Sequence, residues 1–120
     1  MNETLFLEYP SCSTCRKAKK WLDEHGVAYA DRHIVEDAPT ADELKLWAQL
    51  GNISVRKMFN TSGKLYRELA VKDRLAAGMS DDEAFELLAS NGMLVKRPIL
   101  VGHDFVLVGF REKEWKEMLA

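Results

Sequence analysis

What the chain has little of narrows its function first. Two cysteines in 120 residues cannot build the multi-bridge framework of a small secreted scaffold. The longest apolar stretches, "PILVG" and "FVLVGF", fall far short of the roughly 20 residues that a membrane helix needs, so no membrane role is expected. With 17 Lys and Arg against 19 Asp and Glu, the net charge is −2, and the basic footprint of a nucleic-acid binder is missing at the level of the whole chain. The opening "MNETLFLEYP" shows no charged leader, long apolar region or small-residue cleavage site. The cytoplasm is therefore the expected compartment, where a disulfide is usually transient and catalytic or sensing. Glycine-rich phosphate loops, zinc-protease motifs and hydrolase elbows are absent as well.

What is present is an ordinary globular composition, 47% hydrophobic and 30% charged. "TLFLEY" (4–9) reads as a buried strand stopped by Pro10, and Ala18, Trp21 and Leu22 recur at helical spacing over 15–25, before Gly26. "VAYADRHIV" (27–35) reads as a second strand, giving a right-handed crossover and a parallel pair. Thr40 with Glu43, and Ser80 with Glu83, are capping-box patterns that open helices; the first runs to Leu50 and stops at Gly51 as a C-cap. Between them "ISVRKMF" suggests a short helix, 60–69 starts loop-like with Ser62 and Gly63 as a turn, and 71–78 reads as a further weak helix. "RPILV" (97–101) and "FVLVG" (105–109) form a hairpin across Gly102, His103 and Asp104. A last amphipathic helix then turns Trp115, Met118 and Leu119 inward. No repeat, low-complexity tract or linker interrupts the chain. The expectation is one α/β domain over 1–120, ordered βαβ then ββα around a mixed four-stranded sheet, with 1–35 and 93–120 as its core and 40–91 as a helical insertion.

The chemistry concentrates at "PSCSTCRKAKKWL", where Cys12 and Cys15 stand three positions apart at a strand-to-helix turn. Zinc would want a second Cys/His pair, and His25, His33 and His103 are scattered singly. A structural disulfide closing so short a loop would add less than one closing a long loop, and two inert buried thiols are the bland alternative. The accessible turn favours redox chemistry. At a helix N-terminus, free N–H groups and the macrodipole stabilise a thiolate, which makes Cys12 the expected nucleophile. Cys15, one turn further in, is then the resolving thiol. Arg16 follows as a candidate substrate contact, against the alternative of a solvated surface charge. Trp21, Trp47 and Trp115 sit among apolar neighbours and read as packing.

Three motifs in order, "PSCSTCRKAKKWL", "ISVRKMFN" and "LVKRPILV", resemble the ArsC/Spx family, arsenate reductase-like proteins of the thioredoxin-like fold. The resemblance spans nearly the whole chain and places the family's nucleophile on Cys12, its anion-binding arginine on Arg97, and its cis-proline on Pro98. Arg97 and Pro98 thereby join the substrate-binding set, with the Arg97 guanidinium directed at Cys12. Glutaredoxin-dependent arsenate reductases of the family carry arginines where this chain has Asn60 and Phe110, leaving Arg111 or Arg56 as substitutes. The Cys12/Cys15 pair is similar to the Spx and MgsR-like branch, with Gly51 at the matching partner surface. Spx members bind RNA polymerase through the C-terminal domain of its α-subunit. The resemblance implies a thiol-disulfide oxidoreductase acting on arsenate or another oxidised substrate. It would be reset by thioredoxin, glutaredoxin or a low-molecular-weight thiol and would need no bound cofactor and no metal. The alternative is a redox-sensing transcriptional regulator.

Overall fold

The computed structural model describes residues 4–119; Ala120, assigned by sequence to the last helix, lies outside them. The chain runs β1 (Thr4–Glu8), α1 (Ser13–Glu24), β2 (Tyr29–His33), α2 (Ala41–Gly51), α3 (Lys64–Glu68), α4 (Val71–Ala76), α5 (Asp81–Ala89), β3 (Ile99–Val101), β4 (Val106–Val108) and α6 (Glu112–Leu119). Two 3₁₀ turns complete the middle segment, Val55–Met58 between α2 and α3 and Gly92–Leu94 after α5. The strands form one mixed sheet in the order β2-β1-β3-β4. β1 and β2 are parallel, as a crossover through α1 requires, and β3 and β4 close an antiparallel hairpin.

Because side chains alternate along a strand, the central β1 feeds two cores. Phe6 turns to one face and packs with Ala18, Trp21, Leu22, Leu100, Leu107 and Trp115, so α1 and α6 cover that side. Leu7 turns to the other and joins Leu44, Trp47, Met58, Phe59 and Leu88 from the middle segment. The edge of the Phe6 ring meets Trp115, centroids 6.4 Å apart and planes at 88°.

Both capping boxes form. Thr40 Oγ1 accepts the Glu43 N–H at 3.1 Å while Glu43 Oε1 accepts the Thr40 N–H at 3.0 Å. Ser80 and Glu83 repeat the exchange at 3.2 and 3.3 Å. Glu43 also receives both terminal nitrogens of Arg32, at 2.8 and 2.9 Å, which ties the start of α2 to β2. That guanidinium holds the Glu43 carboxyl down at about 2.

Three local expectations are corrected. Gly51 is not the C-cap: it is the last residue of α2, and Asn52 takes the left-handed conformation at φ 51°. A Cβ on Gly51 would stand 2.7 Å from Ile53 Cδ1 and 3.0 Å from Val106 Cβ, so close packing on β4 accounts for the glycine. Met118 does not face inward but is 49% exposed, because Trp115 and Leu119, one turn apart, define the buried stripe of α6. The third strand begins at Ile99 rather than Arg97, since Arg97–Pro98 is a cis peptide and proline has no N–H for the ladder.

The packing sets a contrast testable by urea denaturation. Trp115→Ala is expected to cost about 3–5 kcal/mol as a large buried truncation, whereas Met118→Ala should stay within about 0.5 kcal/mol. Equal losses would contradict this assignment of the α6 face.

Candidate functional site

Pro10 stops β1, and four residues later the chain is already helical. The turn is held by the Cys12 N–H on the Tyr9 carbonyl at 2.9 Å, and the Cys12 carbonyl accepts the Arg16 N–H at 3.0 Å, the first helical bond. Cys12 is the N-cap of α1 in extended conformation, φ −80° and ψ 122°, and its side chain is half-buried. Cys15, one turn on, is fully buried, and both are free thiols.

The two thiols are set in opposite directions. Burial alone would push Cys12 up, but the N–H groups of Cys15 and Thr14, the Cys15 thiol and the Arg97 guanidinium outweigh it and hold it below the ordinary thiol range. Burial pushes Cys15 up to about 12 and the neighbouring Cys12 adds to this, against a hydrogen bond from the Tyr9 N–H. The arrangement therefore presents a thiolate-prone sulfur beside a protonated one, the pairing that thiol–disulfide exchange requires.

Arg97 reaches Cys12 from the far side of the cis Arg97–Pro98 bond. Its guanidinium lies over the Tyr9 ring, 5.3 Å from the centroid, and Nη1 makes only long contacts of 3.4 and 3.5 Å to the Met93 and Val95 carbonyls. Nε is buried without a partner among the described residues. An arginine so weakly occupied by its own chain is free to serve an anion in front of it.

That space is a cleft of about 470 Å³ whose lining includes Cys12, Thr14, Asn60, Lys96, Arg97 and Arg111. Among the described residues, no carboxylate lines it. Asn60 sits on the opposite wall, its N–H on the Leu94 carbonyl at 2.7 Å and its Oδ1 accepting Ser62 Oγ at 3.3 Å. Phe110 also lines the cleft, with its ring packed edge-on against Trp115 at 4.8 Å. Of the two arginines considered as substitutes, Arg111 is in the cleft, while Arg56 is turned to the end of α4, bonded to the Leu75 carbonyl at 3.2 Å.

Two expected substrate contacts do not line this cleft. Arg16 is exposed and borders a separate depression with Lys19, Lys20, Asp23 and Glu24, because the step from Cys15 to Arg16 rotates the side chain about 100° to the solvent face of α1. Pro98 is buried beneath the site, its carbonyl accepting the Gly109 N–H at 2.8 Å.

Sequence reasoning missed Lys96, which joins the cleft through a fold-level approach, and Glu8. Glu8 is 4% exposed at the end of β1; Lys19 Nζ lies 3.3 Å from its Oε2 and 2.7 Å from Asp31 Oδ2. Burial, and then a carboxyl-to-carboxyl hydrogen bond and repulsion from Asp31, push Glu8 up to about 7. A charged residue closing the apolar run "TLFLE" was the available signal.

Arg97→Ala removes a cation from beside the thiolate, so the Cys12 pKa should rise by about one unit. The pH profile of iodoacetamide alkylation, with and without the substitution in a Cys15→Ser background, measures the shift. An unchanged profile would leave the helix terminus as the only source of thiolate stabilisation.

Comparison with known proteins gives the same outline. The family model described as "ArsC family" matches residues 7–118. A crystal structure of an ArsC family related protein from Bacteroides fragilis superposes with a TM-score of 0.92 at 52% identity, covering 97% of each chain. The Bacillus subtilis (strain 168) protein YusI is 50% identical, over 96% of this chain and 97% of its own. The global transcriptional regulator Spx of Staphylococcus saprophyticus is 34% identical, over 97% of this chain and 86% of its own. The chain belongs to the ArsC family.

Proposed function

We propose that the protein is a cytoplasmic thiol–disulfide oxidoreductase in which Cys12 attacks an oxidised substrate and Cys15 resolves the adduct. The observation that carries this reading is the opposite setting of the two thiols, one held below its ordinary range at a helix start and the other pushed up to about 12 one turn deeper. With a disulfide substrate, the Cys12 thiolate bonds to one sulfur and the other leaves with the electron pair. Cys15 then attacks Cys12 Sγ, the second substrate sulfur leaves, and an internal disulfide remains. Thioredoxin, glutaredoxin or a low-molecular-weight thiol restores the dithiol. Arg97, Lys96 and Arg111 favour a substrate carrying negative charge.

Arsenate would demand several bidentate guanidinium groups around one small oxyanion. Asn60 supplies a neutral amide where an arginine is expected, and Lys96 offers only a point charge. A charged organic disulfide suits a cleft of about 470 Å³ better than a tetrahedral oxyanion does.

A second reading has its own support. The likeness to Spx extends over 97% of this chain, and α2 exposes Leu46 and Leu50, 61% and 42%, one turn apart. In that reading the Cys12/Cys15 state governs binding to RNA polymerase, at the C-terminal domain of its α-subunit. Pull-down with that domain under oxidising and reducing conditions separates the two; binding in neither state counts against the regulator.

Mild oxidation is expected to give a Cys12–Cys15 disulfide within one chain, seen by peptide mapping, and recovery of free thiols or intermolecular bridges alone would sink the proposal. Arsenate turnover coupled to thioredoxin or glutaredoxin should stay below about 1 s⁻¹, the low end of common enzyme rates. Faster turnover would show that Arg97 and its neighbours suffice for arsenate.

A further inference from the structure

Lys96 is the cleft residue whose placement the thiol chemistry leaves unexplained. Its N–H is fixed on the Met58 carbonyl at 2.8 Å, just before the cis Arg97–Pro98 bond, and its side chain is exposed. The stem runs over Gly109, the residue after β4: a Cβ there would stand 3.1 Å from Lys96 Cε and 3.8 Å from Nζ. Gly109 is held from both sides, its N–H on the Pro98 carbonyl at 2.8 Å and its carbonyl accepting the Trp115 Nε1–H at 3.2 Å. Its φ of 79° lies in the left-handed region that glycine adopts without strain. Two residues on, the exposed Arg111 lines the same cleft. Lys96 and Arg111 thus flank one fixed, bare glycine, and neither forms an ion pair among the described residues.

The opposite side of Arg97 differs. There a second depression of about 320 Å³ shares Asn60, Gly63 and Arg97 with the cleft but is completed by Leu65, Met93, Lys64 and Glu68. Lys64 Nζ lies 3.7 Å from Glu68 Oε1, so its charge is already answered. An anion carried on a substrate therefore has one favourable side, that of Lys96 and Arg111.

We propose that Lys96 and Arg111 are specificity residues for a carboxylate carried by the disulfide substrate, leaving Arg97 to the Cys12 sulfur. The inference rests on the oxidoreductase reading and names its substrate class, an organic disulfide with a carboxylate on one of its halves. One ammonium and one guanidinium fork match a single planar carboxylate, where a tetrahedral oxyanion calls for more than one fork. With the carboxylate so held, the Cys12 thiolate bonds to one substrate sulfur, the substrate S–S bond breaks, and the other sulfur leaves as a thiolate with the electron pair. Both cations are exposed, so salt screens the attraction.

Two chromogenic aromatic disulfides separate charge from reactivity: dithiobis(nitrobenzoate), with a carboxylate on each half, and the neutral dithiodipyridine. Stopped-flow gives the ratio of their rates with Cys12, in which any change in the thiolate itself cancels. Lys96→Met and Arg111→Met should each lower this ratio about 3-fold, and together about 10-fold, the range of exposed ion pairs at separate positions. Lys96→Arg should hold the ratio. High salt should lower it in the unaltered protein and by less in the double variant. Lys72→Met removes an exposed charge on α4, outside the cleft, and should leave the ratio in place. A ratio that Lys96→Met and Arg111→Met do not move overturns the proposal, as does one that Lys72→Met lowers equally. If the unaltered protein forms no Cys12–Cys15 disulfide with either probe, the oxidoreductase reading fails and this one with it; an unmoved ratio alone leaves that reading standing.

Discussion

One constraint organises the molecule: the chain must leave a strand whose last three residues are buried and enter a helix within four residues, between Glu8 and Ser13. Proline at position 10 ends the strand, the Cys12 N–H closes the turn on Tyr9, and the unpaired amides of the first helical turn face the Cys12 sulfur. The same geometry carries Cys15 into the interior, since three residues of helix bring the chain round to the packed side of α1. One turn thus creates both a half-buried anion-stabilising position and a dry one. The rest of the fold serves it: the cis Arg97–Pro98 bond just before β3 delivers Arg97, the segment after β4 delivers Arg111, and the turn at Asn60 forms the facing wall.

Charge is unevenly distributed over the molecule. The chain is slightly acidic as a whole, yet the cleft holds Lys96, Arg97 and Arg111 with no carboxylate among the described residues that line it. Around Cys12 those cations reinforce a thiolate and draw negatively charged partners. Beside α1 lies a buried carboxyl, Glu8, which burial first and its neighbour Asp31 second push up to about 7, against the nearby Lys19 ammonium.

Much of this was legible in the sequence, and the limits have physical causes. β1, α1 and the capping boxes at Thr40 and Ser80 depend on local periodicity and local hydrogen bonds, so their residues announce them. The two short 3₁₀ turns and α3 contain too few residues to show a period, and α3 buries none of them. Met118 fits an apolar pattern but falls beside the stripe that Trp115 defines. Arg16 is adjacent to Cys15 in the chain yet points away from Cys12, whereas Lys96 and Arg111, remote in sequence, come to it through the sheet. Glu8 looked like one charged residue in a strand because its burial depends on α1 folding over it. Gly51 met a cap rule in sequence, while its actual cause, the approach of β4, is tertiary.

The central claim is that one turn splits two chemically identical thiols in opposite directions. Its most direct measurement is an NMR pH titration of the reduced protein labelled with ¹³C at the cysteine β-carbons. The account predicts an inflection at Cys12 below the ordinary thiol value of about 8.5, with Cys15 remaining protonated until close to 12. Two cysteines titrating together near the ordinary value would contradict it.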